Sequence, residues 1–251
     1  MVTWLEEETA KEIRTRRFEL TVGERRVPGL LWTPPEGAER GPLVLVGHGA
    51  SGSKSEGYVV ALARGLVRIA GMAVCAIDGP VHGDRRLDGV TGGPLPFLQF
   101  SQVWANDPTI TDAMVDDWRA VLDVLSELPE VDARRVGYWG LSMGTILGLP
   151  LVAAEPRITA AVLGLMGLAG PTVERLRADA MSVSCPIHFL VQWNDQLFPR
   201  DRAFELFDAF GTSDKVLVAN PGEHGAVPDA AFKGSAAFLV ERLGQAPHEV
   251  N

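Results

Sequence analysis

Residues Gly140-Leu141-Ser142-Met143-Gly144 have the form G-x-S-x-G. They follow a strand-like run, Val136-Gly137-Tyr138-Trp139, and precede a helical one, the strand–turn–helix setting in which such a serine stands exposed at a sharp turn. A serine hydroxyl attacks a carbonyl only if a base removes its proton, and the base is a histidine oriented by a carboxylate. In the chain order serine, acid, histidine, the late histidines are His224 and His248. His248 sits in a terminal tail, whereas His224 sits in Asn220-Pro221-Gly222-Glu223-His224-Gly225, a turn directly after a strand-like run. His224 is therefore the expected base. The expected acid is Asp195, at the end of the preceding strand in Val191-Gln192-Trp193-Asn194-Asp195. Asp201 and Asp208 compete with it but fall in or beside the following helix.

Acyl transfer also needs donors for the oxyanion. The apolar run Leu43–Val46 leads into Gly47-His48-Gly49-Ala50-Ser51-Gly52-Ser53-Lys54, whose glycines let backbone N–H groups turn inward. The N–H groups of Ala50 and Met143 form the expected pair. His48 and His82 read as turn-fixing residues and His188 as a core residue. No metal-ligand spacing or dinucleotide-binding glycine fingerprint occurs, so neither metal nor cofactor is expected.

These residues need a scaffold that ends several strands at one edge. The pattern supplies it: two early strands over residues 18–22 and 27–32, then buried strands at 42–46, 72–77, 135–139, 158–165, 186–192 and 215–218. Helical patterns occupy 59–67, 110–125, 144–154, 202–210 and 230–243. Repeated β–α pairs with continuous apolar strands imply an α/β fold with a mostly parallel sheet of about eight strands and helices on both faces. Without a linker or repeat, residues 1–251 are expected to form one domain. The long irregular stretch 84–108 is read as a short lid loop, with Phe97, Phe100 and Trp104 as candidate substrate-lining residues alongside Trp193. Pro150 is expected to kink the helix after Ser142.

The 251 residues carry 32 acids against 23 bases, a formal charge of -9, which disfavours a nucleic-acid partner. The acidic start lacks the basic-then-apolar pattern of a signal peptide, and no stretch is suited to spanning a bilayer, so a cytoplasmic protein with no membrane partner is expected. Cys75 and Cys185 lie inside apolar runs and read as buried thiols rather than a disulfide framework. Nothing in the sequence sets the oligomeric state.

The ordered combination of the strand-plus-His48-Gly49 segment, Asp78-Gly79-Pro80-Val81-His82-Gly83, Gly140 to Gly144, Asp195 with Phe198-Pro199, and Glu223-His224-Gly225 resembles the α/β-hydrolase superfamily over roughly residues 18–243. Its dienelactone-hydrolase-like and prolyl-oligopeptidase-like esterase branch is the nearest likeness. The resemblance implies Ser142 as nucleophile, Asp195 as acid, His224 as base, and Ala50 and Met143 as oxyanion donors. Dienelactone hydrolases proper carry cysteine where Ser142 stands, and many relatives carry glycine where Thr145 stands. The expected activity is therefore that of a cofactor-independent serine carboxylesterase acting on small-molecule esters through an acyl-enzyme. A peptidase or thioesterase with the same triad, or a noncatalytic binder on the same fold, are the alternatives.

Overall fold

The computed structural model describes residues 2–86, 88–90 and 92–244. In chain order the strands are β1 (Val2–Ala10), β2 (Ile13–Val22), β3 (Arg25–Thr33), β4 (Gly41–Gly47), β5 (Ala73–Ile77), β6 (Val131–Gly140), β7 (Ile158–Gly164), β8 (Ile187–Gln192) and β9 (Lys215–Asn220). The helices are α1 (Gly57–Ala70), α2 (Pro94–Asn106), α3 (Ile110–Ser126), α4 (Met143–Ala154), α5 (Val173–Ser182), α6 (Arg200–Ala209) and α7 (Asp229–Gly244), with a 3₁₀ turn at Gly83–Arg85. All nine strands join one sheet in the order β1-β2-β3-β5-β4-β6-β7-β8-β9. Pairing is antiparallel from β1 through β3 to β5 and parallel from β5 onward.

The buried strands divide their side chains between two cores, as period-two alternation requires. Leu43 and Leu45 of β4 join Trp118 of α3, Leu147 of α4 and Leu206 of α6, while Val44 and Val46 join Leu66 of α1 and Leu239 of α7. Helices thus cover both faces, and the parallel strands end along one edge, where the loops after β4, β5, β6, β8 and β9 can meet. Among the described residues no helix is long and apolar enough to cross a membrane.

Three features depart from the sequence pattern. The sheet has nine strands because residues 2–10 form an edge strand. Their acids pair across the hairpin, Glu7 with Arg14 at 2.7 Å. The expected lid loop is largely a helix, α2, with Pro94 in its first turn and Phe100 buried. An unforeseen α5 turns only Leu176 and Ala180 fully inward. Pro150 lies within α4, which runs on to Ala154 as the pattern predicts. Cys75 and Cys185 are both buried, and burial pushes their thiols up, away from the reactive thiolate.

Candidate active site

The turn between β6 and α4 holds Ser142 at φ 58° and ψ -119°, a region that L-residues occupy only under external constraint. That constraint is visible. Ser142 N–H donates to Gly164 O at the end of β7 (2.9 Å), and the Thr145 hydroxyl, one turn on, accepts Gly164 N–H at 2.8 Å. Thr145 Oγ1 also lies 2.9 Å from Gly140 O and 2.7 Å from Gly164 O, and its single proton serves one of them at a time. Gly144 is required by close approach, since a Cβ there would lie 2.5 Å from Gly47 O. The start of α4 is thereby brought against the end of β4, where the glycine-rich loop begins.

His224 reaches this serine from the turn after β9. Its Nε2 lies 2.9 Å from Ser142 Oγ, and its Nδ1 lies 2.7 Å from Asp195 Oδ2. Asp195, rather than Asp201 or Asp208, makes this contact, and it follows β8. Its Oδ1 accepts the N–H groups of Leu197 (2.8 Å) and Phe198 (2.9 Å). Burial pushes the Asp195 carboxyl up, but the His224 ring and these two N–H groups outweigh it and hold the group below its ordinary value. The side chains of His224 and Asp195 are 13% and 4% exposed, so the pair is shielded while the ring edge still reaches the serine.

The two turns are zipped together. Asn194 N–H donates to Gly222 O (3.0 Å), Gln192 Nε2 to Glu223 O (3.1 Å), and His224 N–H to Gln196 Oε1 (2.9 Å). Gln192, Gln196 and Leu197 carry no motif that marks them in the sequence. The only available signal was the Asp195-Gln196-Leu197-Phe198 run, in which an aspartate can accept N–H groups two and three residues on.

Neither Ala50 N–H nor Met143 N–H donates to a backbone or side-chain acceptor among the described residues. Met143 opens α4, so its N–H also carries the positive end of the helix dipole. His48 donates from Nδ1 to Gly49 O (2.8 Å) and accepts Gly79 N–H at Nε2 (2.9 Å). The ring nitrogens of His82 lie 2.6 Å from Pro80 O and 2.7 Å from Ala50 O. Lys54 Nζ lies 2.6 Å from Asp78 and 2.5 Å from Asp84, tying the loops after β4 and β5 together.

The expected substrate-lining residues lie in two places. Phe100 is buried between His82 and Trp104, with ring centroids 6.0 and 6.1 Å away, and Phe97 packs half-buried beside it against the core. The Trp104 indole donates to Thr172 Oγ1 at 2.9 Å. Trp193 is 47% exposed beneath the Arg200 guanidinium and edge-on to Phe204. His188 is buried in β8, and His248 lies outside the described residues. No three His, Cys, Asp or Glu residues among the described residues are grouped to hold a metal ion.

The dienelactone hydrolase family model matches residues 94–219. Among solved structures the chain is similar to a cold-adapted esterase from an Arctic intertidal metagenomic library. In its polyethylene-glycol-bound form the identity is 39%, over 96% of this chain and 99% of that one, with a TM-score of 0.85. In its native form the identity is 37% over the same shares, with a TM-score of 0.81. Acetyl xylan esterase 1 from Thermoanaerobacterium, 19% identical over 96% and 87% of the two chains with a TM-score of 0.70, shares the fold. No curated protein matches.

Proposed function

The chain belongs to the dienelactone hydrolase family, hydrolases of the α/β-hydrolase fold, and from that premise we propose that it is a serine carboxylesterase working through an acyl-enzyme. One observation carries the proposal: the continuous hydrogen-bonded line from Ser142 Oγ through both ring nitrogens of His224 to Asp195. The esterase named in the two similar structures supports carboxylic esters as the substrate class.

The geometry supports the following roles. His224 Nε2 takes the hydroxyl proton as Ser142 Oγ bonds to the ester carbonyl carbon, and the carbonyl electron pair moves onto oxygen. The free N–H groups of Ala50 and Met143 receive that oxyanion. When the carbonyl reforms, the C–O bond to the alcohol breaks, and the proton on His224 passes to the leaving oxygen. Water then attacks the acyl-serine with His224 again as base, releasing the acid and restoring the hydroxyl. Asp195 keeps the imidazole proton on Nδ1 and stabilises the imidazolium. These steps call for no metal or cofactor, and all of them are assigned to one domain, a reading supported by the single sheet that the nine strands of the described residues form.

The test is turnover of chromogenic short-chain esters alongside thioesters and aminoacyl amides. Ser142→Ala should lose at least about a thousandfold in kcat while melting no lower than the parent. Near-parental turnover in that variant refutes the mechanism, and faster cleavage of the thioester or amide series reassigns the substrate class.

A further inference from the structure

We propose that His48 is a positioning residue for the oxyanion hole, acting on the peptide unit that supplies the Ala50 donor; this rests on the assignment of Ala50 N–H to the oxyanion. The carbonyl of Gly49 and the N–H of Ala50 belong to one planar trans peptide and point in opposite directions. His48 Nδ1 lies 2.8 Å from that carbonyl oxygen, so the ring grips the back of the group whose front meets the substrate.

The tautomer follows from the other ring nitrogen. Gly79 N–H points at Nε2 from 2.9 Å, and an N–H requires a lone pair, so Nε2 is bare and Nδ1 carries the proton. The bonds then run head to tail: Gly79 N–H to His48 Nε2, His48 Nδ1–H to Gly49 O, and Ala50 N–H to the oxyanion. In such a chain each bond polarises the next, and the peptide between His48 and the substrate becomes a better donor.

The surroundings leave the ring no other arrangement. His48 is buried, and burial, reinforced by His82, pushes it down to about 4, so it stays neutral with its one proton on Nδ1. The His82 ring stacks edge-on at 5.1 Å and holds the next carbonyl, Ala50 O, while Gly49 N–H donates to the Tyr58 hydroxyl at 2.7 Å. Gly79 admits the Met143 side chain, whose Cε would lie 2.7 Å from a Cβ at that position. The peptides on both sides of the Ala50 donor are therefore pinned, and the Met143 side chain lies against the same Gly79 that donates to the imidazole.

Two variants separate this role from packing. His48→Phe keeps a ring but no N–H, and His48→Asn places an amide N–H where Nδ1 stood. His48→Phe should lower kcat about 10- to 100-fold, a fraction of the effect of removing a donor outright, with KM within about twofold. His48→Asn should recover most of the loss. Affinity for a boronic acid that forms a tetrahedral adduct on Ser142 should fall by the same factor as kcat. An unchanged kcat in His48→Phe, or a loss confined to KM, overturns the proposal while an inactive Ser142→Ala leaves the esterase mechanism standing. A fully active Ser142→Ala removes both. Should His48→Phe fail to fold, nitrogen-15 NMR of the parent enzyme decides. The His48 Nδ1 proton should move downfield when the boronate adduct forms, and an unmoved resonance overturns the proposal.

Discussion

Asp195 keeps its negative charge in a place that disfavours it. Burial alone would raise its carboxyl, yet the contact with His224 and the N–H groups of Phe198 and Leu197 bring it below the ordinary value of 3.8. A depressed carboxylate stays ionised as pH falls through the ordinary range, so loss of activity in mild acid does not originate at Asp195. Asp195→Asn should lower kcat about a thousandfold or more at little-changed KM. The neutral amide no longer stabilises the imidazolium, and with its NH2 toward Nδ1 it selects the tautomer whose proton faces Ser142. Steady-state kinetics on one short ester measures this, and a loss under about tenfold would remove Asp195 from the proposed role. That Ser142, Asp195 and His224 meet was legible from the elbow motif and chain order. The grip of Gln196 on His224 N–H was not, because it exists only once two loops distant in sequence lie side by side.

Among the elements, α2 was the hardest to read. Gly89, Pro94 and Pro96 broke up the pattern, although Pro94 at a helix start with Phe97, Phe100 and Trp104 spaced three and four apart is a helical signature. The hairpin β1–β2 was hidden differently. Glu6, Glu7 and Glu8 erase the apolar alternation, and the turn is made by Lys11 and Glu12 at φ 51° and 60°, without the usual asparagine or glycine. In place, α2 is strapped at both ends: Gly93 N–H to Ser51 O (2.8 Å) on the glycine-rich loop, and Trp104 to Thr172 beyond β7. If the proposed oxyanion role of this glycine-rich loop holds, a helix fixed against it is a candidate wall for the acyl chain. Single replacements of Phe97, Phe100 and Trp104 by alanine should change the ratio of kcat/KM between short and longer acyl esters, with one methylene worth about 1–3 kcal/mol in such a pocket. A common loss across all chain lengths would instead make α2 a purely structural strap.

For the whole molecule, the division of β4 into Leu43 and Leu45 on one face and Val44 and Val46 on the other was readable from an uninterrupted apolar run. What the fold then does to its histidines was not. Burial lowers His48, to about 4, and also lowers His82 and His188. A histidine lowered by folding takes up its proton more readily in the unfolded chain. Its contribution is complete above about pH 6.5 and is lost as pH falls through the folded value. Asp132, held to about 2 by the Arg134 hydrogen bond against burial, extends the loss below 3.8. The urea midpoint should therefore decline between pH 6.5 and 4, with His48 contributing on the order of 3 kcal/mol. His48→Asn should flatten that segment, and an equal slope in the variant would contradict the assignment. The strained turn at Ser142 bears on how such a protein is improved. The serine holds a backbone shape that glycine adopts freely, and releasing strain of about 1–3 kcal/mol exceeds the roughly 0.5–1 kcal/mol of added chain entropy that glycine brings to the unfolded state. Heat resistance and turnover pull in opposite directions at this one position. Selection for thermostability alone would enrich glycine there and discard the proposed nucleophile, so any such campaign must score catalysis in the same round.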